Sequence, residues 1–113
     1  MIDSLDPNAP DNLDAAGAFA ALGSEARLAI LRALVRAGPD GLPVGAIQER
    51  VGLAPSTLSH HLRALTTAGV VVQRREGRVL NCLAEFERIS ALAQFLISEC
   101  CVDAASEPQE DVA

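Results

Sequence analysis

The chain contains no tryptophan, no tyrosine and no lysine, and only three phenylalanines. Its core must therefore be built from Leu, Ala, Val and Ile, which with the other apolar residues make up half of the sequence. Such a core is thin for a lone monomer of 113 residues, so an apolar face shared with a second copy is expected. No run of about 18 apolar residues occurs, so no membrane-spanning helix is expected. The start, MIDSLDPNAP, is acidic and lacks the basic-then-apolar pattern of an export signal, which predicts a cytoplasmic protein. Three cysteines, an odd number, do not make a secreted disulfide framework and are read as reduced thiols. No cysteine lies in a phosphate-cradling loop or a Cys-x-x-Cys pair, and none has an acid/base partner in the sequence, so a thiol enzyme is not expected.

With lysine absent, every basic side chain other than His60 and His61 is Arg, the better fork for phosphate and guanine. The net charge of -6 looks unfavourable for a polyanion partner, but it is unevenly distributed. Residues 24–81 carry eight arginines against Glu25, Asp40, Glu49 and Glu76, while the segments on either side are acidic. The local field, not the sum, steers a nucleic acid.

Apolar spacing and stop signals set the order of elements. Residues 1–10 lack periodicity and read as a flexible arm, 11–103 as one domain, and 104–113 as an acidic disordered tail. Asp11 caps a helix ended by Gly23, and Ser24 caps a second whose stripe is Leu28, Leu31, Leu34 and Val35, with Arg27, Arg32 and Arg36 outward. After the turn Gly38-Pro39-Asp40-Gly41, Pro43 suits the first position of a short helix running to Val51 and stopped by Gly52. Pro55 starts a fourth helix with Leu58, Leu62 and Leu65 inward, ended by Gly69. Val70–Arg75 and Arg78–Leu83 read as strands joined through Glu76-Gly77. Phe86, Ile89, Ala93, Leu96 and Cys100 mark one face of a last long helix. The expected fold is mainly α with a small β-hairpin, a winged helix-turn-helix in the order α-α-α-α-β-β-α.

A recognition helix offers its N-terminal residues to base edges in the major groove. Ser56, Thr57, Ser59, His60 and Arg63 are the candidates here, with Ser56 and Thr57 also able simply to cap the helix. His61 fits either the groove or the core beside Leu58 and Leu65. Arg74, Arg75 and Arg78 crowd the hairpin turn with only Glu76 to offset them, which points to phosphate or the minor groove. Double-stranded DNA is the expected partner, held by two copies of the chain one helical turn apart.

The segments FAALGSEARLAILRAL (19–34), APSTLSHHLRALTTAGVV (54–71) and QRREGR (73–78) together resemble the ArsR/SmtB family of bacterial repressors, from about Phe19 to Cys101. The resemblance implies a homodimer that occupies its operator without ligand and leaves when a metal, metalloid or oxidant engages cysteines or other ligands. It also implies a dimer interface built from the first and last helices, here about 11–22 and 85–101. The Cys-x-Cys pair that some members carry on the recognition helix is absent, since Ser56 to Ser59 contain no cysteine. The vicinal Cys100-Cys101 is instead similar to another arsenic-sensing branch, which adds one further thiol. No cysteine follows Cys101, so Cys82 is the remaining candidate for a third ligand, with a small core residue on its strand as the alternative.

Three thiolates suit As(III) or Sb(III), and two suit methylarsenite. One unbroken last helix would hold Cys82 and Cys100 of the same chain roughly 20–25 Å apart. A shared ion is therefore expected only if antiparallel last helices bring Cys82 of one protomer to Cys100 and Cys101 of its partner. The expected function is a repressor released by a trivalent arsenical, with no organic cofactor. The alternatives are a redox or persulfide sensor joining Cys82 and Cys100, and a constitutive DNA-binding protein with inert cysteines.

Overall fold

The computed structural model describes residues 9–104. Along the chain come α1 (Asn12–Leu22), α2 (Glu25–Ala37), β1 (Leu42–Pro43), α3 (Val44–Val51), α4 (Pro55–Thr67), β2 (Val71–Glu76), β3 (Val79–Ala84) and α5 (Phe86–Ile97). The expected arm at 1–8 and tail at 105–113 lie outside the described residues.

The helix starts follow the caps in the sequence. Asp11 Oδ1 accepts from the Asp14 N–H at 2.8 Å, and Ser24 Oγ accepts from the Arg27 N–H at 3.3 Å, each satisfying a donor that the first helical turn leaves open. Gly52, with φ +71° and ψ +30°, closes α3 in the left-handed region. The core is aliphatic. Ile30, Leu34, Ile47, Leu58, Leu65 and Val70 are completely buried, drawn from α2, α3, α4 and the entry to β2.

The sheet and the elements around it differ from the sequence expectation. The sheet has three antiparallel strands in the order β1-β3-β2, not two. Leu42 pairs with Cys82 and Pro43 with Asn81, so Pro43 is an edge-strand residue and the N-cap of α3, not its first helical residue. An edge position suits a residue without an N–H. The hairpin turn lies at Gly77-Arg78, one residue later than expected, because Glu76 pairs with Val79. Gly77 has φ +66° and Arg78 does not share the positive φ, the pattern of a tight II′ turn.

The last helix stops at Ile97, earlier than the apolar pattern suggested. Two single turns follow, with the Cys100 N–H donating to Ile97 O at 2.9 Å and the Val102 N–H to Glu99 O at 3.0 Å. Cys100 and Cys101 therefore lie beyond the helix, and Cys101 takes φ +64°, uncommon for a non-glycine residue. On α2 the stripe is rotated from its expected position. Leu28 and Val35 remain exposed, and Arg27, expected to face solvent, turns inward to α4.

Candidate DNA-binding face and cysteine pair

Leu58, Leu62 and Leu65 anchor α4 in the core. That fixes which side faces out. Ser56, Ser59, His60 and Arg63 are spaced i, i+3, i+4, i+7, so they share the stripe opposite the leucines, and all four are exposed together with Thr57. Ala54 is the N-cap of the helix and makes no side-chain cap, and Pro55 is the first helical residue. Ser56 and Thr57 therefore do not cap their own helix. Their hydroxyls remain available, and their backbone N–H groups have no acceptor within the helix, since the first internal bond is from the Leu58 N–H to Ala54 O. The positive end of the helix and these donors together suit an anion.

His61 is separated from this group. Its Nδ1 accepts from Arg27 Nε at 3.0 Å, and Arg27 Nη1 reaches Ala21 O at 3.5 Å. One guanidinium thus ties α4 to α2 and to the end of α1. Loss of hydration pushes the His61 pKa down, and the charges of Arg27 and His60 push it further. A folded pKa below the unfolded one means that unfolding takes up a proton near that pH. The His61 contribution is thus present above the ordinary histidine pKa of about 6.5 and is lost as pH falls below it. Melting curves of wild type and His61→Gln are expected to differ in shape. Wild type loses more thermal stability than the variant between about pH 7 and about pH 5, and equal losses would contradict the assignment.

The wing carries its arginines on more than one side. Strand residues alternate faces, so Arg74, paired with Asn81, and Arg75, paired with Leu80, point to opposite sides of the hairpin, and Arg78 sits in the turn. Glu76 is occupied elsewhere, since its Oε1 accepts from Asn81 Nδ2 at 2.8 Å. Among the described residues, no ion pair holds Arg74, Arg75 or Arg78, and all three are exposed.

The three cysteines fall into two environments. Cys82 is completely buried on the central strand, facing the core, where burial pushes its thiol pKa up and Gln73 Nε2 donates to Sγ at 3.7 Å. Cys100 and Cys101 are exposed, with Sγ atoms 3.4 Å apart. The hydrogen bond and charge of Cys101 raise the Cys100 pKa, so Cys100 is a thiol at neutral pH. Cys100 also opens onto a hollow of about 380 Å³ lined by Asn12, Phe95 and Leu96. Among the described residues of one protomer, no cluster of three His, Cys, Asp or Glu side chains is placed to hold a metal ion.

Sequence reasoning missed the contact that links these regions. Arg88 of α5 pairs with Asp14 of α1 through two bonds, at 2.6 and 2.9 Å, and its Nε donates to Ala68 O at the end of α4 at 3.2 Å. The available signal was that Arg88 is the only basic residue after position 81.

A three-helix core, a helix-turn-helix of α3 and α4 and an arginine-bearing hairpin define a winged helix-turn-helix domain. Residues 22–74 match the family model described as a helix-turn-helix domain. The chain is similar to the HTH-type transcriptional regulator NmtR of Mycobacterium tuberculosis, 43% identical over 76 residues that cover 64% of this chain and 61% of NmtR. It overlays the crystal structure of an ArsR family transcriptional regulator with a TM-score of 0.70 at 25% identity, covering 89% of this chain and 99% of that one. It also matches the homodimeric winged helix-turn-helix DNA-binding domain Mb0332 of Mycobacterium bovis, described as a possible ArsR-family regulator (TM-score 0.62, 27% identity, 88% of each chain). A further match is M. tuberculosis Rv0081, at a TM-score of 0.58 and 31% identity, covering 80% of this chain and 91% of that one. The chain is thus similar in sequence and in fold to winged helix-turn-helix transcriptional regulators, among them proteins described as ArsR family. It spans 52 to 61% of the length of the curated relatives it matches, two of which are HTH-type transcriptional regulators.

Proposed function

We propose that the protein is a homodimeric repressor that holds operator DNA with α4 and the wing, and leaves it when a trivalent arsenical binds Cys100 and Cys101. The observation that carries the arsenical reading is the exposed cysteine pair with its sulfurs 3.4 Å apart. Soft thiol donors at that spacing suit one soft ion. Methylarsenite in its dihydroxide form exchanges both hydroxides for the two sulfurs, each thiol proton leaving with a hydroxide as water. Phe95 and Leu96, in the hollow beside Cys100, offer the methyl group an apolar surface. Inorganic arsenite would keep one hydroxide or take a third thiol. The complete burial of Cys82 argues against it as that third ligand, and also against a Cys82–Cys100 disulfide as the signal, because either would require the core to open.

Dimerisation is supported by apolar surface that one protomer leaves uncovered. Leu13 of α1 is 85% exposed, and Leu96 and Ile97 of α5 are 66% and 59% exposed. These are the helices that the family resemblance assigns to the interface. The cysteine pair follows directly on this surface. An arsenical there would shift the end of α5, and Arg88 connects the start of α5 to the end of α4. A coupling of about 1–3 kcal/mol between two sites is typical of allosteric proteins in general.

The ligand set is tested by X-ray absorption on the protein loaded with methylarsenite and, separately, with arsenite. Two sulfurs about the methylated arsenic, unchanged in Cys82→Ser, are expected. Three-sulfur coordination that disappears in Cys82→Ser would overturn the two-thiol site in favour of one spanning the dimer.

A further inference from the structure

Arg32 and Arg36 of α2 and Arg50 of α3 converge on a second hollow, of about 550 Å³, floored by Ala29, Ala33 and Leu53. All three arginines are exposed, and among the described residues none has an ion pair or a side-chain hydrogen bond. Glu25 and Glu49, on the same helices, do not pair with them. Arg36 and Arg50 each lie in the last turn of a helix, where a cation is favoured by the helix dipole. That accounts for each of them separately, but not for their meeting Arg32 around one hollow.

We propose that Arg32, Arg36 and Arg50 form a clamp for the DNA backbone beside the start of the recognition helix. Three unpaired guanidinium groups repel one another until a polyanion enters between them. Leu53, on the floor of the hollow, is followed directly by Ala54, the N-cap of α4, so the hollow is continuous with the end of the helix that carries Ser56 and Thr57. Four residues of helix separate Arg32 from Arg36, a rise of about 6 Å, close to the roughly 7 Å rise of two nucleotides along one strand. The small alanine floor lets a phosphate approach without obstruction. Gripped by the wing and by the clamp, the recognition helix would be held in register by contacts that carry no sequence information of their own.

The clamp rests on DNA binding and not on the arsenical reading, and it uses no cysteine. The test is the salt dependence of affinity for a duplex that the protein itself selects from a randomised pool, and for a random-sequence duplex. Each phosphate neutralised contributes about 0.9 to the slope of log affinity against log salt. The R32Q/R36Q/R50Q dimer, with two clamps, is expected to show a slope shallower by about 3 to 5 on both duplexes. The R32K/R36K/R50K variant should retain most of the slope, and the single variants R36Q and R50Q should each lose part of it if the triple variant melts early. An unchanged slope in a variant with wild-type melting would overturn the clamp. So would saturable binding of inorganic pyrophosphate that depends on the three arginines while the DNA slope stays the same, since the hollow would then be a small-anion site. Arsenite-driven release, scored in the same titration, reports on the cysteine pair separately.

Discussion

Replacing Arg74, Arg75 and Arg78 together with Gln is expected to weaken operator binding by about 100-fold or more at about 0.15 M salt. The three guanidinium groups are exposed and unpaired among the described residues, and Glu76 is held by Asn81. Nothing in the free protein therefore has to be given up when they meet phosphate. Charge-assisted hydrogen bonds are the stronger kind, contributing about 1.5–3 kcal/mol each before screening, and a dimer makes each contact twice. Because Arg74 and Arg75 point to opposite sides of a two-stranded ribbon, the wing can engage phosphates on both of its flanks. The loss should be similar on operator and random-sequence duplexes, whereas changes at Ser56, Ser59 or His60 should narrow the gap between the two. Melting temperature should not move. Fluorescence anisotropy with labelled duplexes makes the measurement, and a loss below about threefold would remove the wing from the DNA interface.

Gly41→Ala is expected to destabilise the domain by about 3 kcal/mol or more, a fall in melting temperature of about 12 °C or more. A Cβ at this position would lie 2.1 Å from the Cys82 carbonyl oxygen and 2.9 Å from its carbonyl carbon, with the Leu83 side chain also at 2.9 Å. The obstructing atoms belong to the backbone of the central strand. Relieving the clash would pull β1 away from β3, where Leu42 pairs with Cys82. The backbone at Gly41 also has φ +67°, which adds the usual left-handed cost of about 1–2 kcal/mol. Gly52→Ala separates the two effects. Its φ is +71°, but nothing lies within 4 Å of the added Cβ, so only the conformational cost of about 1–2 kcal/mol is expected. Thermal melts of the two variants side by side make the comparison, and equal losses would show that space at Gly41 is not limiting.

Most of this architecture was legible because the sequence marks its helices with local chemistry. Asp11 and Ser24 cap where expected, Gly23, Gly38, Gly52 and Gly69 close helices, and Pro55 opens α4. The strand β1 was not legible, because two residues carry no periodicity and their pairing with Asn81 and Cys82 is a contact across forty positions of chain. Helical spacing alone predicts Arg27 in solvent, and only the fold reveals that His61 needs a donor there. The apolar pattern predicts a longer α5 than the one that ends at Ile97, because Ser98, Glu99 and Cys100 contain neither glycine nor proline to stop it. On the DNA face the candidates Ser56, Thr57, Ser59, His60 and Arg63 all emerge on one exposed side, since helical spacing alone decides it. The cluster of Arg32, Arg36 and Arg50 depends on how α2 crosses α3, which no local signal encodes.

The central claim, release of DNA through the exposed cysteine pair, is tested most directly by titrating the operator complex with methylarsenite, arsenite and peroxide, using wild type and the Cys100→Ser/Cys101→Ser double variant. Wild type is expected to leave the operator with methylarsenite and arsenite. The double variant is expected to bind the operator with wild-type affinity and to stay bound, because both residues are exposed and lie beyond α5. Arsenical-driven release that persists in the double variant, or release of wild type by peroxide alone, would contradict the account.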